Sequence, residues 1–399
     1  MLYYLLPEIS LDINESNLKI SFINKFNSEE NDIFISQSFC KYLKKLKELI
    51  NENVSNWDNI KKYTNPYEFI HSNIPLLNYS ISKYRPISRA FFKLIEIYNH
   101  FDLLPNKDSI KTFHLAEGPG GFIEATNFLR KNKSDRYYGI TLINNDNNTV
   151  PNWKKATSFL KKNSHVIIEK GPSGDGNLIN EKNFEYICKT YHNSMDIVTG
   201  DAGFDFSGDF NHQENNIFPL LYTQIMYALI IQKYNGNFVL KIFDIFLKNT
   251  CQIIYLLSCF YKKVYITKPN TSRYANSEKY IVCKYFKYTS LKHLYKRFHN
   301  IISVIHNINF EQYELTSIFN INIQSYYLIK LEEINGIFIH QQVENILNTT
   351  KLISYGDKKR DKIELLKNQN ILKCVQWCEQ FNIKYNKDFS PSNVFISKH

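Results

Sequence analysis

No stretch of this sequence is long and apolar enough to cross a membrane. The longest apolar run, LLYTQIMYALII at 220–231, holds Thr223 and Gln224 and falls short of the ~18 residues a spanning helix needs. The N-terminus, MLYYLLPEIS, lacks the basic start and long apolar core of a signal peptide. Cysteines are few and odd in number: seven, at 40, 188, 251, 259, 283, 374 and 378. Their irregular spacing argues against a disulfide framework and for reduced thiols in an intracellular compartment, cytoplasm or nucleus. Cys374 and Cys378 have no second cysteine pair and no nearby histidine. No metal site is expected there, and a helical core face is the better reading. Internal repeats and low-complexity linkers are absent as well.

What is present is a 399-residue chain, 43% hydrophobic and 22% charged, which excludes a disordered chain and suffices for a large core. The formal charge is +11, so a polyanionic partner is expected. Lysine supplies most of it, 42 residues against seven arginines. Lys, Asn, Ile and Tyr all have AT-rich codons, so part of that charge reports genome composition.

Residues 1–85 show little clean periodicity, apart from KYLKKLKELI (41–50), an amphipathic helix read as a solvated surface element rather than an RNA contact. From residue 87 the texture changes. Ile87, Ala90, Phe91, Leu94, Ile95 and Tyr98 recur at helical spacing. Strands are predicted at 111–118, 136–142, 165–170, 196–202, 237–243 and 263–269, with helices near 120–131, 181–191, 213–233 and 248–260. Such alternation predicts a parallel sheet with helices on both faces. The next strand, 277–286, follows a loop too short for a crossover, so it must pair antiparallel with its predecessor. The expected fold is an α/β, Rossmann-like methyltransferase sheet closed by an antiparallel strand. The expected division is an N-terminal extension (1–84), a catalytic domain (85–290) and a mixed or helical C-terminal extension (291–399). In the last of these, KKRDK (358–362) reads as a solvated loop and 370–383 as a helix packed on the core.

The strongest local signal is HLAEGPGGF (114–122), between a strand and a helix. Gly118, Gly120 and Gly121 permit a tight turn and close approach of a ligand. The spacing is not G-x-G-x-x-G, and the next strand ends in GITL (139–142) without a carboxylate, which disfavours a nicotinamide cofactor. No GK[ST] follows, which excludes a P-loop. A plain tight turn is the alternative.

Polar residues sit where a buried sheet should be apolar. Lys241 lies inside NFVLKIF, near the C-terminal end of a strand of the kind buried on both faces; its alternative is a lysine snorkelling at a strand end. Asp201, in TGDAGFDF (199–206), ends another strand. Glu278 begins the antiparallel strand, which starts at the edge where its parallel neighbours finish. Strand direction alone therefore brings Asp201, Lys241 and Glu278 to one edge, where open α/β sheets bind ligands. Lys93 is off the apolar face of its helix, so periodicity makes it an ordinary surface lysine.

SRAFFKL (88–94), EGPGGF (117–122), GDAGFDFS (200–207), GNFVLKIFD (236–244) and ITKPNTSRYANSEKYIV (266–282) together resemble the FtsJ/RrmJ-type RNA ribose 2′-O-methyltransferases. The last segment, with GPSGDGN (171–177) and CVQWCEQFNI (374–383), is most similar to the branch that methylates the first transcribed nucleotide of capped mRNA. The extra terminal segments fit that branch, and the AT-biased composition looks like that of a large DNA virus. The resemblance implies a catalytic tetrad of Lys93, Asp201, Lys241 and Glu278. It also implies S-adenosylmethionine along Gly118, Pro119, Gly120, Gly121 and Phe122, with Asp201 nearby. The second strand lacks the family's usual acid for the cofactor ribose, and Asp175 is the substitute expected. Capped mRNA is the implied partner, alongside other capping or transcription proteins, with no metal required. Lys83, Arg85, Arg89 and Arg273 are the candidate RNA contacts. The competing readings are an rRNA or tRNA 2′-O-methyltransferase and a non-catalytic RNA-binding subunit. No cap-binding aromatic pair can be aligned, and Trp57, Trp153 and Trp377 are expected in the core.

Overall fold

The computed structural model of the chain describes residues 1–25, 33–52, 54–144, 150–203, 213–317, 319–355 and 360–386. Its strands are β1 (Leu2–Leu5), β2 (Ser21–Asn24), β3 (Lys111–Leu115), β4 (Arg136–Ile140), β5 (Val166–Glu169), β6 (Met195–Gly200), β7 (Gln232–Ile242), β8 (Tyr261–Lys268), β9 (Lys279–Phe286) and β10 (Tyr313–Ser317). The α-helices are α1 (Gln37–Glu52), α2 (Val54–Thr64), α3 (Ala90–Phe101), α4 (Gly121–Arg130), α5 (Thr157–Lys162), α6 (Glu181–Tyr191), α7 (Gln213–Asn216), α8 (Phe218–Ile231), α9 (Lys248–Phe260), α10 (Lys292–Asn307), α11 (Ser325–Tyr355) and α12 (Arg360–Gln380).

Eight strands form one sheet in the order β1-β8-β9-β7-β6-β3-β4-β5. Strands β3 to β7 run parallel, and β9 enters antiparallel between β7 and β8. A short connection, residues 269–278, closes the β8–β9 hairpin, about as the expected 270–276 loop required. The chain winds outward from β3 through β4 to β5, then returns to lay β6 and β7 on the other side. The switch point therefore falls between β3 and β6, the crevice where such sheets bind ligands. Strand β1 adds an antiparallel edge that no periodicity in residues 1–85 announced. Strands β2 and β10 pair separately.

Each face of the sheet has its own core. On one, α6, α8, α9, α10 and α11 bury Phe184, Ile225, Leu257, Phe298 and Leu331. Helix α8 is buried on nearly all sides, so the longest apolar run of the sequence is a core helix. On the other face, α3 and α4 pack with Phe69, Ile70 and the α12 residues Cys374, Val375, Trp377 and Cys378. Arg360 to Lys362 form the exposed first turn of α12, whereas Lys358 and Lys359 of the charge run lie outside the described residues. Trp57, Trp153 and Trp377 are all buried, as are the seven cysteines, whose thiols are free. Helix α1 is more enclosed than a solvated surface helix: Leu43, Leu46 and even Lys47 are buried. Among the described residues no helix is long and apolar enough to cross a membrane.

Candidate active site

The glycine loop leaves β3 at the switch point. Gly120 caps α4 with φ of +116°, a conformation L side chains rarely adopt. At Gly121 a Cβ would lie 2.2 Å from Ser88 Oγ and 3.0 Å from Phe91 N, so glycine is what lets α4 approach the start of α3. Glu117 folds its carboxylate back onto α4, and Oε1 accepts from Phe122 N (2.6 Å) and Ile123 N (3.0 Å). Its Oε2 is buried without a hydrogen-bond partner among the described residues. Burial, and then the Asp201 charge, push the Glu117 carboxyl well above the usual range, against the pull of the two N–H groups and Lys241. The Phe122 ring faces the core, 6.1 Å from that of Tyr280, while Gly118 and Pro119 remain partly open.

Asp175 sits beside the tip of β4. Ile143 N donates to its backbone oxygen (2.7 Å), and a Cβ on Gly176 would meet Thr141 O at 2.1 Å. Its carboxylate accepts from Ser173 Oγ, Asn177 N and Asn183 Nδ2, so it is engaged within its own loop.

Four ionisable residues converge at the C-terminal edge. Lys93 Nζ lies 2.6 Å and 2.8 Å from the two Glu278 carboxylate oxygens. Lys241 Nζ donates to Asp201 O (2.8 Å) and lies 3.2 Å from Asp201 Oδ1. Asp201 Oδ1 also accepts from Tyr280 Oη (3.2 Å), and Glu278 Oε1 from Ser272 Oγ (2.8 Å). Burial pushes the Lys93 ammonium down, and Glu278 pulls it back only in part. Burial pushes the Glu278 carboxyl up, but Lys93, Lys241 and Arg89 outweigh it and hold the group ionised. Glu278 stands just ahead of β9, which begins at Lys279. Phe204 to Ser207 of the Asp201 motif lie outside the described residues.

The surface reading of Lys93 is corrected: it is 5% exposed. Helix α3 has no solvent face there, because the sheet and α4 cover one side while Phe69, Ile70 and Trp377 crowd the other. Among the candidate RNA contacts, Lys83 and Arg85 are exposed and Arg89 is partly buried. Arg273 is occupied by Glu68, with Nε to Oε2 at 3.0 Å and Nη2 to Oε1 at 2.6 Å. Several neighbours, though some stand inside the motifs quoted above, were not singled out from the sequence. Glu117, Ser272 and Tyr280 matter through burial and contacts. Gly203 matters through space, since a Cβ there would stand 3.0 Å from Lys241 Nζ. Lys268, buried, donates to Asn276 O (2.6 Å) and Glu278 O (2.9 Å) and so shapes the loop that carries Glu278.

This edge lies within residues 86–286, which match the family model described as FtsJ-like methyltransferase. The chain belongs to the FtsJ-like methyltransferase family. The FtsJ-like segment takes in β3 to β9 and all four convergent residues. The chain is similar to cap-specific mRNA (nucleoside-2′-O-)-methyltransferase 2 of Danio rerio, 31% identical over 208 residues, 49% of this chain and 28% of that protein. It is also similar to cap-specific mRNA (nucleoside-2′-O-)-methyltransferase 1 of Mus musculus, 33% identical over 240 residues, 56% of this chain and 27% of that protein. A longer match, 26% identical over 333 residues, joins 78% of this chain to 40% of the methyltransferase 2 of Pongo abelii. The chain thus spans well under half the length of these relatives.

Proposed function

We propose that this chain methylates the ribose 2′-oxygen of the first transcribed nucleotide of capped mRNA, using S-adenosylmethionine. The observation that carries the reading is the pair of ion pairs, Lys93–Glu278 and Lys241–Asp201, at the edge beside the glycine loop. The names of the similar proteins support the cap as the substrate feature.

The loop fits the cofactor. Its glycines leave room for a ligand, and Glu117 Oε2 is a buried acceptor with no partner among the described residues, suited to the ammonium or sulfonium charge of S-adenosylmethionine. Gly118, Pro119, Gly120 and Glu117 would hold it, with Phe122 supplying the N–H that fixes Glu117 and Asp175 standing at the ribose end. When bound, the cofactor supplies a sulfonium methyl already activated for displacement.

The protein's remaining tasks are alignment and a proton. Lys241 spends two of its positions on Asp201 O and Oδ1, leaving one tetrahedral position at Nζ for the 2′-OH. A lone pair there takes the hydroxyl proton as the new oxygen–carbon bond forms; a third N–H there stabilises the developing alkoxide. Asp201 holds the Lys241 rotamer, and Tyr280 holds Asp201. Lys93 and Glu278 supply the opposite wall. The 2′-hydroxyl is what separates RNA from DNA at such a site. Lys83, Arg85 and Arg89 place positive charge beside this edge, whereas the charge of Arg273 is matched by Glu68, so affinity should fall steeply with salt.

The test is transfer of labelled methyl to two matched short RNAs, one capped and one with a 5′-triphosphate, followed by nuclease mapping. Label on the 2′-oxygen of the first nucleotide, only with the cap, is expected. Internal label on uncapped RNA would move the protein to the rRNA or tRNA branch. Failure of both transfer and cofactor binding would leave a non-catalytic RNA-binding subunit.

A further inference from the structure

Among the described residues, one guanidinium at the catalytic edge has no carboxylate paired with it. Lys93 pairs with Glu278, Lys241 with Asp201, and Arg273 with Glu68. Arg89 stands among them, close enough to Arg273, Glu278 and Glu68 to feel each charge. Yet its side chain has no hydrogen bond or ion pair among the described residues, although it is partly buried. A guanidinium stays charged and, once partly desolvated, needs an anion.

We infer that this anion is the phosphate on the 3′ side of the methylated ribose, so that the RNA leaves the catalytic edge 3′-ward over residues 82–89. The inference rests on the 2′-O reading above. Arg89, the N-cap of α3, precedes Lys93 by four residues, just over one helical turn, so the two positions lie about 6 Å apart along the axis. In a ribonucleotide the 2′- and 3′-oxygens are on neighbouring carbons, whereas the 5′-phosphate hangs from the far side of the ring. With the 2′-oxygen held between Lys241 and Lys93, the 3′-phosphate is the one within reach of a group one turn away. Guanidinium geometry suits two parallel bonds to its oxygens.

The path beyond Arg89 continues in kind. Residues 71–95 contain Lys83, Arg85, Arg89 and Lys93 and no Asp or Glu. Lys83 and Arg85 are exposed and line a groove of about 360 Å³ with Ser82 and Asn386. That stretch is held in place before any RNA arrives. Glu124 accepts from Ile87 N (2.7 Å) and from Tyr84 Oη (3.0 Å). Lys83 N donates to Lys384 O (2.8 Å) and Ser82 N to Ile70 O (3.2 Å). A pre-formed track reduces the ordering cost of binding. The consequence for substrate choice is that a capped nucleotide ending in a free 3′-hydroxyl is a poor acceptor. The reaction follows extension of the chain past its first nucleotide.

The experiment compares kcat/KM on two cap dinucleotides, one ending in a 3′-hydroxyl and one in a 3′-phosphate, for the native chain, Arg89→Ala and Arg89→Lys. The native chain should prefer the 3′-phosphate about 10- to 100-fold, as for a charged hydrogen-bond pair. Arg89→Ala should lose that preference by slowing only on the phosphate-bearing compound, and Arg89→Lys should keep part of it. Melting midpoints check that each variant is folded. No preference in the native chain, or an equal loss on both compounds in Arg89→Ala, overturns the inference and leaves the 2′-O reading intact. If the native chain labels no ribose in either dinucleotide or in longer capped RNA, the 2′-O reading itself fails.

Discussion

Two clusters of buried charge lie back to back on β7 and β9, and only one of them lies beside the glycine loop. In the antiparallel register Lys241 faces Tyr280 across the ladder, and Ile242 faces Lys279. Successive residues point to opposite faces of a strand. Lys241, Glu278 and Tyr280 thus share the α3–α4 face, beside the glycine loop. Lys279 points the other way, over the Phe338 ring of α11 at 5.9 Å. There Asp244 lies 4.0 Å from Lys279 and 3.1 Å from Lys47 of α1, and all three are buried. Burial pushes the Asp244 carboxyl up, but Lys47 and Lys279 outweigh it and keep the group ionised. Both clusters show buried lysines held by carboxylates. Each also has a buried carboxylate oxygen without a hydrogen-bond partner among the described residues, Glu117 Oε2 and Asp244 Oδ1. The difference is what covers them: the first meets the partly open glycine loop, the second is sealed by α1 and α11. Buried charge by itself therefore does not mark a catalytic centre; here the sealed cluster fastens the N-terminal helix to the end of β7.

The largest effect that would sharpen this contrast is at Lys241. Lys241→Ala should lower kcat by about 1,000-fold or more, within the range for loss of a positioned acid–base group, while calorimetry shows unchanged cofactor affinity. More than a tenth of native activity in a clean preparation would break the assignment. On the sealed face, Lys47→Met leaves Asp244 buried without its nearest cation and should cost about 3 kcal/mol in urea unfolding, with transfer per folded molecule preserved. Adding Asp244→Leu should restore most of that stability. Activity lost without any change in stability would show that the two faces are not separate. The smallest effect concerns His71, beside Glu68. Burial, and then Arg89, hold its imidazole down at about 4, below its ordinary 6.5. As pH falls the unfolded chain takes up this proton first, so the stability is complete above pH 6.5 and is lost progressively toward pH 4. The loss is up to about 3 kcal/mol. Unfolding midpoints across that window should fall in the native chain and flatten in His71→Asn; an unchanged slope in the variant would remove His71 from the account.

Much of the sheet was legible because its strands are short apolar runs punctuated by turn residues. The predicted β6 and β9 strands match the structure within about two residues at each end. Strand β1 was not legible: four residues long, at an edge, it has two of its four side chains exposed. Helix α3 misled for the opposite reason. Amphipathic reasoning assumes a solvent face, and α3 has almost none: Phe91, Phe92, Leu94, Ile95, Ile97 and Tyr98 are all buried around Lys93. The glycine loop announced itself through its composition, whereas the unsatisfied oxygen of Glu117 exists only once α4 has folded back over it.

The sequence by itself determined the alternation of strands and helices from residue 111 onward, the antiparallel return and hence the edge at which Asp201, Lys241 and Glu278 emerge. Those follow from chain direction and loop length, which are properties of the chain alone. Only the tertiary structure decided that Lys93 meets Glu278 across 185 residues, that Arg273 is occupied by Glu68 and that the Arg89 side chain has no partner among the described residues. Which charges cancel depends on distance and on how much water remains between them, and both are set by packing rather than by residue order.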